Sequence, residues 1–273
     1  MVVRNLSQHS FEEILECFLL AFEDYFVPMP TDPDYYKARW KASKVDFSSS
    51  YGLFDEGRLV AFILHSIDTR FGQRMAYNSG TGVIPAYRSR GLTAELYAHA
   101  LTELRTKGIQ KSTLEVITEN ERAIRAYTGV GFKKVKHYRC FKAELKGAES
   151  IDFELQALNW DEVDWESLSD QELYSWDNQK ESIIEGNYRF YQVKYRDKVE
   201  SYFILLPTSG YVAQLGLLKT SASWSRLFTA LQSVCREVRM NNVDLRSQEK
   251  CLALQEAGWI ATVDQFEMEL NLS

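Results

Sequence analysis

The stretch Val83-Ile84-Pro85-Ala86-Tyr87-Arg88-Ser89-Arg90-Gly91-Leu92-Thr93 constrains this chain more than any other. An apolar, β-prone run stops at Pro85, an Arg/Gly turn follows, and a helical pattern starts at once. The order is strand, tight loop, helix N-terminus. The first turn of a helix has backbone N–H groups without intrahelical acceptors, and the helix dipole adds partial positive charge there. Such a site suits a phosphate or pyrophosphate. Gly91 lets the backbone approach an anion with no Cβ in the way, while Arg88 and Arg90 add positive charge. Taken alone, the loop has an ordinary alternative, since many strand–helix turns carry Gly and Arg merely as caps.

The residues downstream favour the anion site. Leu92, Leu96, Ala100, Leu101 and Leu104 recur at helical spacing, so 90–106 is predicted as an amphipathic helix. Lys107-Gly108 ends it. Ser112-Thr113-Leu114-Glu115-Val116-Ile117-Thr118 reads as a strand rich in β-branched residues. Asn120 opens a second helix through Ala123, Ile124 and Tyr127, and Gly129, Gly131 and Phe132 lead into another strand. The series V-x-P-x-Y-R-x-x-G-x-T, then L-E-V, then N-x-x-A-x-x-x-Y-x-x-x-G-F resembles the GCN5-related N-acetyltransferase (GNAT) superfamily. The resemblance covers residues 1–145, with its motifs in 77–144.

The resemblance implies acetyl-CoA as co-substrate. The family's phosphate loop runs Q/R-x-x-G-x-G/A, and Arg88, Gly91 and Thr93 fill its three positions. Thr93 departs from the small residue usual there but keeps its backbone N–H. The loop residues Ser89, Arg90 and Leu92 complete the expected cradle. By the same resemblance, the Val83 backbone and Asn120 contact the pantetheine arm. Two residues are candidates for chemistry. Departure of a thiolate calls for a proton donor, and a positioned phenol such as Tyr127 can serve; the alternative is a core aromatic on a half-buried helix. An amine acceptor arrives protonated, with a lysine-like pKa of ~10.4, so a base is needed. Glu115 points away from the face used by Leu114 and Val116, and ribosomal-protein alanine acetyltransferases of this superfamily carry a base Glu in the same L-E-V segment. The alternative for Glu115 is a strand carboxylate with no proton-transfer role, a bound water relaying the proton instead.

Other chemistries find little support. Cys17, Cys140, Cys235 and Cys251 show no C-x-x-C and no metal-ligand spacing, and His9, His65, His99 and His137 form no ligand cluster, so no metal site is predicted. His65 lies on a predicted strand beside the cleft, as a possible base or a core histidine. A net charge of -6 argues against nucleic acid as partner and leaves room for a cationic amine, small molecule or peptide. The start of the chain does not read as a secretory signal, and Glu23 and Asp24 interrupt the apolar run 18–22 far too soon for a membrane span. Four scattered cysteines suit a reducing, cytoplasmic setting. A monomer or a homodimer is expected.

With 273 residues the chain has room for two domains of ~100–200 residues each. The first half is predicted as strand 2–5, helix 10–23, helix within 33–43, hairpin 50–55/58–67, and strand 74–84. The loop between the first two helices is aromatic and acidic, through Glu23, Asp24, Tyr25, Phe26, Asp32, Asp34, Tyr35 and Tyr36. It is either an amine-holding surface or a packed segment with solvated acids. Composition shifts at 146–150. Beyond it, 151–186 is acidic but carries Trp160, Trp165, Leu168, Leu173 and Trp176, which need burial. A hairpin at 188–206, a strand at 211–218, a helix at 222–239, a strand at 242–246 and a helix at 248–257 then repeat the order of the first half. Aligning Gly258-Trp259 with Gly131-Phe132 puts Leu254 opposite Tyr127 and Ser247 opposite Asn120, and no phosphate loop follows 211–218.

The expected fold class is therefore α/β (α+β): two tandem GNAT folds, each a mixed, mostly antiparallel central sheet flanked by helices. Residues 1–147 form the catalytic domain and 148–273 a degenerate GNAT-like domain. The activity implied is acetyl transfer to a primary amine by direct attack in a ternary complex. The alternative is a non-catalytic acyl-CoA sensor or interaction protein on the same scaffold.

Overall fold

Strand β1 (Val2–Asn5) leads to helix α1 (Phe11–Ala21), which Ser10 caps by accepting from the Glu13 N–H at 3.1 Å. Asp32 caps α2 (Pro33–Ala42) in the same way, with Pro33 at the first helical position. Glu56 and Gly57, both at positive φ, turn β2 (Tyr51–Asp55) back into β3 (Arg58–Arg70), as a tight hairpin requires. β4 (Gln73–Val83) follows antiparallel to β3, then α3 (Leu92–Thr106), β5 (Lys111–Ile117) parallel to β4, and α4 (Glu121–Val130). These are the elements the sequence predicts, in the predicted order. They belong to the first of two compact units in a computed structural model that describes residues 1–145, 151–168 and 170–273.

In this unit the strands run β1-β2-β3-β4-β5. β3 is buried at successive positions from Leu59 to Ser66, so both its faces are covered. α1 and α3 are the helices that pack on it. Gly82 on β4 permits the approach of α1: a Cβ there would stand 2.7 Å from the Ala21 Cβ and from the Phe62 ring.

The second unit covers Lys136–Phe266. It receives most of β6 (Lys133–Glu144) and continues through β7 (Glu154–Leu158), 3-10 turns at Trp165–Ser167, Gln171–Leu173 and Trp176–Asn178, and the short α5 (Lys180–Ile183). β8 (Arg189–Tyr195), β9 (Lys198–Leu206) and β10 (Tyr211–Leu217) form an antiparallel meander. α6 (Trp224–Val234) returns the chain to β11 (Glu237–Asp244), and α7 (Gln248–Glu256) precedes β12 (Ile260–Asn271). Meander, helix, parallel strand, helix repeats the first unit. Two elements depart from the sequence reading. The predicted helix 222–239 stops at Val234, and the strand predicted at 242 begins at Glu237. From Glu237 burial alternates through Val238, Met240 and Asn242, a period of two that only a strand satisfies.

The units are not contiguous in sequence. Glu267–Ser273, the end of β12 and the residues after it, belongs to the first unit, next to β5. There the Leu272 N–H donates to the Gln110 carbonyl (2.8 Å), and Glu269 pairs with Lys111 (3.1 Å). The junction expected at 146–150 lies outside the described residues. Of the aromatic residues predicted to need burial beyond it, Trp176 is buried, and Trp160 and Trp165 are half-buried and stacked on each other. Among the described residues no helix is long and apolar enough to cross a membrane.

Candidate active site

β4 carries one residue too many for its partner. Leu64 pairs with Gly80 and His65 with Asn78, leaving Ser79 as a bulge. Asn and Gly inside Asn78-Ser79-Gly80-Thr81-Gly82 are the sequence signal for it. The parallel pairing of β4 with β5 runs from Met75↔Lys111 to Asn78↔Leu114 and ends at the bulge. Both strands continue, β4 to Val83 and β5 to Ile117, without pairing to each other. They therefore part and leave a slot between their C-terminal ends. Val83, Glu115 and, just beyond β5, Asn120 all stand on the parted segments or next to them.

At the end of β4 the predicted loop takes an anion-binding shape. Ser89 and Gly91 have φ of 64° and 76°. Gly91 is the N-cap of α3 and supplies no side-chain cap, and a Cβ on it would meet nothing within 4 Å. Among the described residues the amides of 89–93 have no acceptor within the protein. Leu92 is buried and Thr93 half-buried, so both offer the loop their backbone. A run of unpartnered amides at a helix start fits a phosphate group.

The two arginines are used differently from the expectation. The Arg88 guanidinium is engaged by Asp24, through Nη1 and Nη2 at 2.5 and 2.6 Å. It also donates to the Ala21 carbonyl (3.1 Å) and the Val83 carbonyl (3.2 Å). It ties the end of α1 to the end of β4, and the Asp24 carboxyl is held below its ordinary range by this arginine. Arg90 lies over the Tyr87 ring (4.7 Å) and donates to the Ala86 carbonyl. The acids of the α1–α2 loop are accounted for in part the same way, since Asp32 caps α2 and Asp34 pairs with Lys37.

Tyr127 lies on α4, 8% exposed, with its ring edge-on to Tyr97 (5.9 Å) and Phe132 (6.1 Å). Burial pushes its hydroxyl up to about 12, with Tyr25 nearby adding to the rise, so it is protonated at neutral pH. Thr81 and Asn78 lie near it and oppose that rise. Asn78 is the hub. Its Nδ2 donates to the Tyr97 hydroxyl (2.7 Å) and to Thr81 Oγ1 (2.8 Å), and its Oδ1 accepts from the Gly80 N–H (3.0 Å). Asn120 caps α4 by accepting from the Ala123 N–H (3.1 Å) and lies near the Tyr25 hydroxyl, where it opposes the rise that burial gives that phenol. The structure thus gathers Tyr25, Asn78, Thr81, Tyr97, Asn120 and Tyr127 at one end of the slot. Asn78, Thr81 and Tyr97 were not legible as site residues, because nothing in a linear sequence separates them from strand and helix core.

Glu115 is half-buried on β5, with Oε1 shielded from solvent. His65 is not a base. It is fully buried on β3, its Nδ1 meets the Ser49 carbonyl at 2.7 Å, and burial lowers its pKa to about 4.

The second unit has the same bulge and the same parting of strands, and fills the gap from within. Ala213 is the extra residue on β10, and β10 and β11 pair only at Tyr211↔Arg239. Asn178, fully buried, lies between them: its Nδ2 donates to the Asn241 carbonyl (3.0 Å), and Gln214 on β10 donates to its carbonyl (2.7 Å). The Tyr211 hydroxyl donates to its Oδ1 (2.8 Å). Tyr174 from the same segment donates to the Leu215 carbonyl (3.2 Å) and accepts from the buried Lys250 (3.0 Å). At the start of α6 the Ser223 hydroxyl accepts from the Arg226 N–H, so a side chain caps the helix where α3 has Gly91.

Comparison with known proteins speaks to the family and the fold. The model of the acetyltransferase (GNAT) family matches residues 11–132. The N-alpha-acetyltransferase 30 of Schizosaccharomyces pombe is 24% identical over 105 residues, 38% of this chain and 69% of that protein. Among solved structures, an acetyltransferase described as putative from Pyrococcus horikoshii superposes with a TM-score of 0.70 at 13% identity, covering 99% of this chain and 89% of its own. A tandem GNAT protein from the clavulanic acid biosynthesis pathway gives 0.69 at 14% identity, covering 100% of this chain and 98% of its own. The likeness spans both units, so the whole chain has the tandem GNAT fold, and residues 11–132 within it match the acetyltransferase (GNAT) family model.

Proposed function

We propose that the first unit is an acetyl-CoA-dependent N-acetyltransferase acting on a primary amine. The observation that carries this is one continuous path: unpartnered amides at 89–93, the slot where β4 and β5 part, and the protonated Tyr127 at its end. Acetyl-CoA, when bound, supplies a thioester whose carbonyl carbon an amine can attack. The amides of 89–93 and the start of α3 bind the pyrophosphate. The exposed edges of β4 near Val83 and of β5, with Asn120, hold the pantetheine arm between them. Arg88 fixes the loop to the end of α1, and its charge is spent on Asp24. Glu115 accepts a proton from the ammonium acceptor, directly or through a water. Tyr127 gives its proton to the sulfur as the carbon–sulfur bond breaks.

The acceptor is a small-molecule or peptide amine, and the α-amine named for the Schizosaccharomyces pombe relative supports including peptide N-termini among those tested. Calorimetry with acetyl-CoA on the wild type and on Gly91→Asp tests the site. Binding by the wild type that weakens at least tenfold in the variant supports it, because the substitution adds a like charge and a Cβ at a positive φ of 76°. Thiol release is then followed over polyamines, amino acids and peptides. Absence of acetyl-CoA binding by the wild type would overturn the proposal.

A further inference from the structure

Resting on the reading of 89–93 as the cofactor's phosphate site, we propose that Arg88 and Asp24 transmit acetyl-CoA binding to the loop between α1 and α2, and so place its stretch Tyr25-Phe26-Val27 beside the slot. Both are positioning residues. Arg88 acts here through its side chain on Asp24, not through contact with the cofactor.

The inference begins with what the loop lacks. Among the described residues, 23–31 make one backbone–backbone hydrogen bond, from the Tyr25 N–H to the Phe22 carbonyl (3.2 Å). A segment with so few backbone bonds opens easily unless side chains from outside hold it. Two do so. The Tyr36 hydroxyl of α2 donates to the Pro30 carbonyl (2.8 Å), and Arg88 grips Asp24. The second of these ties comes from the phosphate loop.

That grip has a defined geometry. Arg88 carries five N–H donors in a rigid fork. Nη1 and Nη2 face the two Asp24 oxygens at 2.5 and 2.6 Å. Nη2 also donates to the carbonyl of Ala21, the last residue of α1 (3.1 Å), and Nε donates to the Val83 carbonyl (3.2 Å). Four hydrogen bonds thus join three segments: the end of α1, the loop after it and the end of β4. Moving the guanidinium to a phosphate would give up all four. Exposed ion pairs usually contribute little, but a bidentate arginine–carboxylate pair within such a network is the exception. Ser89, the first of the unpartnered amides, follows Arg88 directly. A phosphate that fixes 89–93 therefore also fixes the backbone from which the guanidinium reaches Asp24.

The residues after Asp24 give the tie its consequence. The Tyr25 ring stands edge-on to Phe22 (5.0 Å) and to Phe26 (5.5 Å), and Phe26 and Val27 are exposed. Tyr25 also lies near Tyr127. Holding Asp24 thus holds an apolar, largely aromatic stretch next to the residue read as the proton donor.

The test is hydrogen exchange read by mass spectrometry on the full chain, with and without saturating acetyl-CoA, and it needs no acceptor. In the wild type, acetyl-CoA should slow exchange at 89–93 and also at 22–27, the latter by roughly fivefold, the most that an exposed pair supplies. Asp24→Asn, a change at an exposed position, should still bind acetyl-CoA and protect 89–93 but lose the protection at 22–27. Arg88→Lys keeps the charge without the fork and should lose it too. A tie that merely holds the fold would leave exchange at 22–27 indifferent to acetyl-CoA in the wild type, and that result overturns the proposal. Faster exchange at 22–27 with acetyl-CoA overturns it as well, because Arg88 would then have left Asp24 for the phosphate. So does a slowing that persists in Asp24→Asn, since the cofactor itself would then cover the loop, and so does loss of acetyl-CoA binding in that variant, since the pair would then serve the phosphate site. A wild type that binds no acetyl-CoA overturns the acetyltransferase reading, and this proposal with it.

Discussion

His65 shows at a single residue how environment assigns a role that the side chain alone does not. A carbonyl cannot donate, so the contact with the Ser49 oxygen puts the imidazole hydrogen on Nδ1. Burial then keeps the ring neutral, with a pKa of about 4 against about 6.5 in the unfolded chain. Between those values the unfolded state binds the extra proton. Stability from His65 is therefore fully present above pH 6.5 and is lost as pH falls toward 4, by about 3 kcal/mol over the window. Urea denaturation of His65→Asn, which keeps a donor near the Ser49 carbonyl, should show a flatter dependence of stability on pH across that range. An unchanged slope would mean that another group governs it. Arg88 makes the same point for a charged side chain. Its place in the motif was legible, but its engagement with Asp24, 64 positions away, was not.

At the scale of elements, the two slots differ in what lies between their strands. Both arise because a bulge ends a parallel pairing early, after Asn78 in β4 and around Ala213 in β10. In the second unit, Asn178 bridges the two strands, donating to the Asn241 carbonyl of β11 and accepting from the Gln214 side chain of β10. Asn178→Ala would leave the Tyr211 hydroxyl without its acceptor in the interior, at a cost of about 1–3 kcal/mol for one buried unsatisfied group. Thermal denaturation should show this as a lower melting temperature, while acetyl-CoA binding by the first unit stays at the wild-type level. A variant with unchanged melting temperature would show that the segment does not hold the strands. Element identities were largely readable beforehand, because hairpin turns, caps and helical spacing act locally. The helix predicted over 222–239 ends at Val234 because from Glu237 burial on the sheet imposes a period of two.

Over the whole molecule, the first unit is incomplete without the last residues of the chain. Glu267–Ser273 lies beside β5, with Met268 and Leu272 buried and the Leu272 N–H paired to Gln110. A fragment of residues 1–147 would expose the β5 edge and its apolar neighbours, which invites edge-to-edge association. It should be insoluble or aggregated in size-exclusion chromatography, whereas a fragment 1–135 joined by a flexible linker to 267–273 should fold and bind acetyl-CoA. Full solubility and binding by 1–147 alone would show that the C-terminal strand is dispensable.

The sequence by itself determined what depends on neighbours along the chain: the strand–loop–helix at 83–93, the cap at Asn120, the order of elements in the first unit, and its repetition in the second. Each rests on φ preference, capping or periodicity, which act within a few residues. Tertiary structure decided what depends on distant partners. It spent Arg88 on Asp24, buried His65 as a neutral core residue, set Asn78 and Thr81 near Tyr127, placed Asn178 in the second slot, and returned 267–273 to the first unit. Hydrogen bonding and burial between segments far apart in sequence leave no local periodicity to read, so these were settled only by folding.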